Sequence, residues 1–285
     1  MKVGRIGWRR AAIVLAVVGA LLPAGQTAWA QEENGGPQTD KNWSNEAELG
    51  YINTSGNSAT TSLSFGNRFT YNFTYAELTF KVDLFRATAR QDTLTNVGGG
   101  VRVDSETRTT GERYRAELKY RQNIVGELFW FGIGSWYRNR PAGLDTRWLA
   151  GAGFGTRLLN NDRTVLSVEF GGGLTREERL DGVEDTFVDL RAYAAWDQKL
   201  GASAGISVWS EALLDIQHAE NLRINSHAEV TSHLTGRLSM RLWWDVQFDK
   251  DPTAIVVATN PDEPPALHAF RTTDRTLGVS LVVDF

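Results

Sequence analysis

The stretch "TLGVSLVVDF", residues 276–285, sets Leu277, Val279, Leu281, Val283 and Phe285 on one side and Gly278, Ser280, Val282 and Asp284 on the other. A period of two marks a strand with one apolar face. A strand lying over the core of a water-soluble sheet would read the same way, so the other end of the chain has to decide. There Lys2, Arg5, Arg9 and Arg10 precede a short apolar run, "AAIVLAVVGALL", and "AWA" at 28–30 supplies a small-x-small cleavage site. This is the layout of a secretory signal peptide, and the run is shorter than the roughly 20 residues that a spanning helix needs. Residues 1–30 therefore read as a cleaved signal peptide, residues 31–42 as a flexible polar leader and residues 43–285 as one folded domain.

Without the four basic residues of the signal, Lys plus Arg falls from 30 to 26 against 34 acidic residues, a mature charge of −8. Such a balance argues against a nucleic-acid partner, whose phosphates are met by basic patches. The absence of cysteine excludes a disulfide framework, thiolate chemistry and a cysteine-ligated metal.

The alternation of the last ten residues recurs along the whole domain. Trp43, Asn45, Ala47, Leu49 and Tyr51 oppose Ser44, Glu46, Glu48 and Gly50, and Leu63, Phe65, Phe69, Tyr71 and Phe73 oppose Ser62, Ser64, Gly66, Arg68, Thr70 and Asn72. Ala76, Leu78, Phe80, Val82 and Leu84 oppose Glu77, Thr79, Lys81 and Asp83; Tyr114, Ala116, Leu118 and Tyr120 oppose Arg113, Arg115, Glu117, Lys119 and Arg121. Residues 128–137, 147–158, 164–174, 187–197, 203–215, 222–233 and 237–248, with the terminal strand, bring the total to twelve. An even number of strands with apolar-out, polar-in alternation is the pattern of an outer-membrane barrel.

Connections support this reading. Tight turns ("FTY", "NIVGE", "LNNDR", "DQKLGA", "LTG") take turns with longer segments, notably 89–112, "TREERLDGVEDT" and Asp249 to Arg275. Outer-membrane barrels keep tight turns on the periplasmic side and long loops outside. Trp43, Tyr71, Tyr120, Tyr137, Trp148, Trp196 and Trp244 fall near strand ends, where a membrane interface favours amphipathic rings. The expected fold is an all-β, transmembrane antiparallel β-barrel of about 12 strands, closed by pairing of the last strand with the first. Leu281, Val283 and Phe285 would then form the terminal signal read by barrel-assembly machinery.

The segment 43–73, "WSNEAELGYINTSGNSATTSLSFGNRFTYNF", resembles the start of the YdiY-like family of outer-membrane proteins named as salt-induced and catalogued as a domain of unknown function. The resemblance rests on the tryptophan-led first strand, the "ELGY" step and "TSGNS" in the first loop. It implies an outer-membrane barrel and carries no reaction. Physically, Thr54, Ser55, Gly56 and Asn57 are turn chemistry: glycine tolerates positive φ and the polar side chains bond the neighbouring backbone.

Any chemistry would lie on the inward rows. Arg113, Arg115, Lys119 and Arg121 on the fourth strand, with Glu77, Lys81 and Asp83 on the third, read either as an ion-paired wall or as a cationic ladder guiding anions. Gly132, Gly134, Gly151, Gly153, Gly155, Gly171 and Gly173 read as a bare inward wall, facing Arg237, Arg241, Trp243, Asp245, Glu46 and Glu48 across the lumen. "GAGFG" lacks the spacing and the following helix of a phosphate loop. Of the four histidines, His227 shares a face with Glu229 and Asn225 but with no serine in the same short motif.

The expected protein is non-enzymatic, with no cofactor or metal, exported to the outer membrane of a Gram-negative bacterium. It would be structural or a narrow channel for small solutes or ions. Its partners would be outer-membrane lipid and the secretion and assembly machinery. A lipid-modifying barrel enzyme and a soluble periplasmic β-protein are the alternatives.

Overall fold

The computed structural model describes residues 42–54, 59–97, 100–218, 220–252, 254–257, 266–269 and 271–285. The export signal, nearly all of the leader, and Ser55, Gly56 and Asn57 lie outside the described residues. The strands are β1 (Trp43–Thr54), β2 (Thr60–Asn72), β3 (Ala76–Val97), β4 (Gly100–Val125), β5 (Leu128–Asn139), β6 (Leu144–Asn160) and β7 (Thr164–Arg179). They continue as β8 (Glu184–Lys199), β9 (Ala204–Asp215), β10 (Leu222–His233), β11 (Leu238–Asp249), β12 (Ala254–Val257), β13 (Ala266–Ala269) and β14 (Thr273–Asp284). Twelve of them form a closed antiparallel barrel in sequential order, with β14 between β11 and β1, while β12 and β13 pair with each other in the last long connection.

Closure follows the expected pairing of chain ends: Glu46 lies opposite Asp284 and Leu49 opposite Leu281. The backbone N–H of Phe285 continues the ladder to the Asn45 carbonyl at 3.0 Å. A closed barrel leaves no sheet edge with unpaired backbone groups. The distribution of side chains is inverted relative to a water-soluble protein. Among the described residues nine hydrophobic side chains are buried against thirteen polar or charged ones, and thirty-five large hydrophobics are exposed. In β14, Leu277 and Leu281 are 69% and 46% exposed while Ser280 and Val282 are 3% and 0% exposed.

Several expectations change. Residues 89–112 are not a loop: β3 and β4 run through them as one hairpin of 22 and 26 residues, with a register shift between Ala87 and Thr88. "TREERLDGVEDT" is likewise mostly strand, turning only at residues 180–183. Such polar segments carry no apolar period to read, yet antiparallel pairing satisfies their backbone and sets opposite charges side by side, as with Arg176 and Glu184 at 2.8 Å. Tight turns gather at the other end; there Glu127 accepts from Asn160 at 3.0 Å and Arg157 at 3.2 Å. Those hydrogen bonds, from Asn160 first, hold the Glu127 carboxyl below its ordinary pKa. The clamp is therefore intact at neutral pH and loosens as acid titrates the carboxylate.

The glycine wall is also corrected. Gly151, Gly153 and Gly155 share the inward face with Ile133, Phe131 and Phe129, their register partners, so Gly132 and Gly134 point outward and Tyr137 points inward. Strand β5 has aromatics on both faces, and its parity was ambiguous for that reason. A Cβ on Gly153 would lie 2.8 Å from Phe131 Cζ and 2.6 Å from Gly171 Cα. These glycines are seats for phenylalanines rather than bare wall. Gly153→Val should destabilise the barrel by at least the ~1–3 kcal/mol of an overpacked core. Gly134→Ala, which meets nothing within 4 Å, should leave the urea midpoint in detergent micelles unchanged.

Candidate functional site: a lumen tied by ion pairs

The inward parity of each strand delivers its charges to the lumen, and three groups of pairs fill it. At the end bearing the longer connections, Arg223 of β10 donates to both Asp189 oxygens of β8 at 2.8 and 2.9 Å, and Thr175 donates to the same carboxylate. Beside them Glu177 accepts from Arg147 at 2.8 Å and Arg179 at 3.0 Å. The Arg223 guanidinium also stands over the Phe187 ring, 5.0 Å from its centroid.

In the middle, Lys119 of β4 donates to Glu169 of β7 at 2.6 and 2.7 Å, a bond that crosses the lumen between strands that are not neighbours. Arg191 joins Glu169 at 2.8 Å to Glu211 at 2.7 Å. Phe131, seated on Gly153, lies under both cations, 5.2 Å from Lys119 Nζ and 5.1 Å from the Arg191 guanidinium carbon. A ring face stabilises a cation removed from water, so the glycines of β6 and β7 serve the charges indirectly.

The third group lies over the closure seam. Arg241 of β11 reaches across β14 to Glu46 at 2.7 Å and Glu48 at 2.8 Å on β1. It can do so because its register partner on β14 is the small Ser280, whose hydroxyl donates to Glu48. Trp243 similarly covers Gly278, where a Cβ would lie 2.5 Å from Trp243 Cε2. Next to the seam, Arg113 donates to Asp245 at 2.5 Å. His227 sits between Asp245 (Nδ1, 2.6 Å) and Glu229 (Nε2, 2.9 Å), and neither ring nitrogen meets a hydroxyl.

The structure thus brings Arg113, Arg115, Lys119 and Arg121 onto one inward face of β4, but gives each a carboxylate. Arg115 meets Glu117 at 2.6 Å and Arg121 meets Glu77 at 2.7 Å. Lys81 and Asp83 face the same lumen from β3, and Arg241 faces it from β11. Arg237 does not: it is exposed in the turn before β11, two residues before the first inward side chain of that strand, Ser239. Thr54 ends β1, and Leu281, Val283 and Phe285 lie on the outer face. Glu169, Asp189, Arg191, Glu211 and Arg223 were not singled out beforehand. Each is a charge on the inward parity of its strand with small or apolar neighbours on either side in the outward row, and that parity is the signal that marks them.

Removing one partner of a buried pair strands the other, at a cost of about 3–5 kcal/mol. Arg223→Met, which leaves Asp189 with no guanidinium and 0% exposed, should lower unfolding stability by that amount. Arg223→Met combined with Asp189→Leu should recover most of it, read from urea midpoints of the refolded protein.

Comparison with known proteins gives a consistent assignment. The chain is 23% identical over 191 residues to "Uncharacterized protein YdiY" of Escherichia coli (strain K12), covering 65% of this chain and 68% of that protein. Among solved structures, it is similar to the translocator domain of autotransporter NalP from Neisseria meningitidis (TM-score 0.45, 12% identity, 97% of this chain and 94% of that one). It is also similar to the NanC porin (TM-score 0.42, 8% identity, 84% and 98%). At these scores the structural likenesses add nothing to the topology already described. The family model described as "Protein of unknown function, DUF481" matches residues 47–285, from within β1 to the terminal phenylalanine, and the chain belongs to that family.

Proposed function

We propose that the protein is a non-enzymatic barrel of the bacterial outer membrane whose lumen is a narrow passage for small solutes or ions. The outward rows of exposed apolar side chains suit a hydrocarbon surround, where backbone groups must all be paired within the barrel. Outer-membrane lipid is then the partner of that surface, and Leu281, Val283 and Phe285 are the face offered to the assembly machinery. Trp43, Tyr71, Tyr120, Trp148 and Trp196 suit the interfacial belt.

The observation that carries the reading is the set of ion pairs spanning non-adjacent strands, Lys119 to Glu169 and Arg113 to Asp245. Such ties subdivide the lumen and spend the cations of β4 on carboxylates, which supports a restricted passage over a wide pore lined by a free cationic ladder. The interior still holds a cavity of about 170 Å³, lined by residues of β1–β5 and β8–β11.

Single-channel recording of the refolded mature protein in a planar bilayer tests this. Small discrete steps are expected from the wild type, and larger ones from the double variant Lys119→Ala, Glu169→Ala, which removes a tie without stranding a charge. Large anion-selective steps from the wild type would overturn the restricted lumen. Silence from both proteins, each correctly folded by heat-modifiable gel migration, would leave a structural role instead.

A further inference from the structure

Arg68 of β2 and Lys81 of β3 are direct cross-strand partners, and both line the 170 Å³ lumen cavity. Two like charges facing each other across a ladder destabilise a sheet. Among the lumen-facing cations of the described strands, these two have no hydrogen bond to a carboxylate. The nearest acid to Arg68 is Glu46 at 3.6 Å, and the nearest to Lys81 is Glu117 at 4.0 Å. Both acids are already engaged, Glu46 by Arg241 at 2.7 Å and Glu117 by Arg115 at 2.6 Å. The Arg68 and Lys81 side chains keep 46% and 32% of their surface accessible, well above the 2–18% of the paired Lys119, Arg191 and Arg223.

We infer that Arg68 and Lys81 form a binding site for the carboxylate of a small monoanionic solute in transit, an assignment that rests on the narrow-passage reading and names its cargo class. A carboxylate between the two would relieve their repulsion and supply the hydrogen bonds that no protein group provides. Asp83, two positions along β3 between Gly66 of β2 and Arg115 of β4, lines the same cavity, and among the described residues no cation comes within 4 Å of its carboxylate. It sets the charge limit, because a second negative group on the solute would face it. The space is adequate: an engineered cavity of about 150 Å³ holds benzene.

Isothermal titration of the detergent-refolded mature protein with butyrate, succinate and butylammonium at constant ionic strength tests the site. Butyrate should bind at least tenfold more tightly than either of the others. Lys81→Met and Arg68→Gln should each weaken butyrate binding at least tenfold, while heat-modifiable migration is kept and the urea midpoint stays level or rises, since each removes a repulsion. Butyrate bound no better than butylammonium by the wild type, or equally by wild type and folded variants, overturns the inference. The wild-type comparison decides alone if the variants do not fold. A protein that binds butyrate but never conducts would retain the site and lose the passage, whereas one that conducts in small steps without binding butyrate would lose this site only.

Discussion

Pairing of β1 with β14 is the constraint on which the structure depends. Every other ladder joins strands adjacent in sequence, or separated only by the β12–β13 hairpin, and needs just a local connection. The seam alone joins the two ends of the domain, and without it two rows of backbone N–H and C=O groups would be left as unpaired sheet edges. The small inward residues of β14 follow from the same requirement. Gly278 and Ser280 keep the seam low enough for Trp243 and Arg241 to lie over it, so that side chains as well as backbone span the junction.

Charge inside the barrel is a specificity device more than a source of stability. Taking ions out of water costs several kcal/mol each, and a good pair roughly recovers that sum. What the pairs achieve is uniqueness: Lys119 with Glu169, Arg223 with Asp189 and Arg241 with Glu46 and Glu48 each fit a single register of their strands. A slip of one residue would carry all of these charges to the outer face. The phenylalanines of β5, seated on glycines of β6, keep the cations of the middle group against ring faces rather than against bare backbone.

Much of the fold was legible because a barrel wall repeats one instruction, period two, a dozen times. The termini of the wall, the strand total and the inward position of the β4 cations could all be read from it. Reading failed where the period was silent or doubled. Phe129, Trp130 and Phe131 present rings to both faces, so the parity of β5, and with it Gly132, Gly134 and Tyr137, could be settled only by register with β6. The β3–β4 extension carries no alternating apolar row in its sequence and so reads as loop. Arg68 and Lys81 were visible as inward charges like any others. Their lack of a hydrogen-bonded acid depends on Arg241 and Arg115 capturing Glu46 and Glu117, a fact of three-dimensional partner choice that spacing does not encode.

The Arg241 bridge has a consequence in time. Its carboxylates on β1 precede it by 195 and 193 residues, and β14 must be seated between them before the contact exists. Until the final strand arrives, Glu46 has only Arg68 of β2 at 3.6 Å, Glu48 lacks the Arg241 guanidinium, and Arg241 has only Glu229 of β10 at 3.4 Å. An incomplete wall is thus penalised twice, in unpaired backbone and in hydrogen-bonded ion pairs not yet made, and both penalties vanish in one event. Closure thereby becomes a proofreading step: a chain misregistered near its end forfeits the seam ladder and the Arg241 hydrogen bonds to Glu46 and Glu48 together.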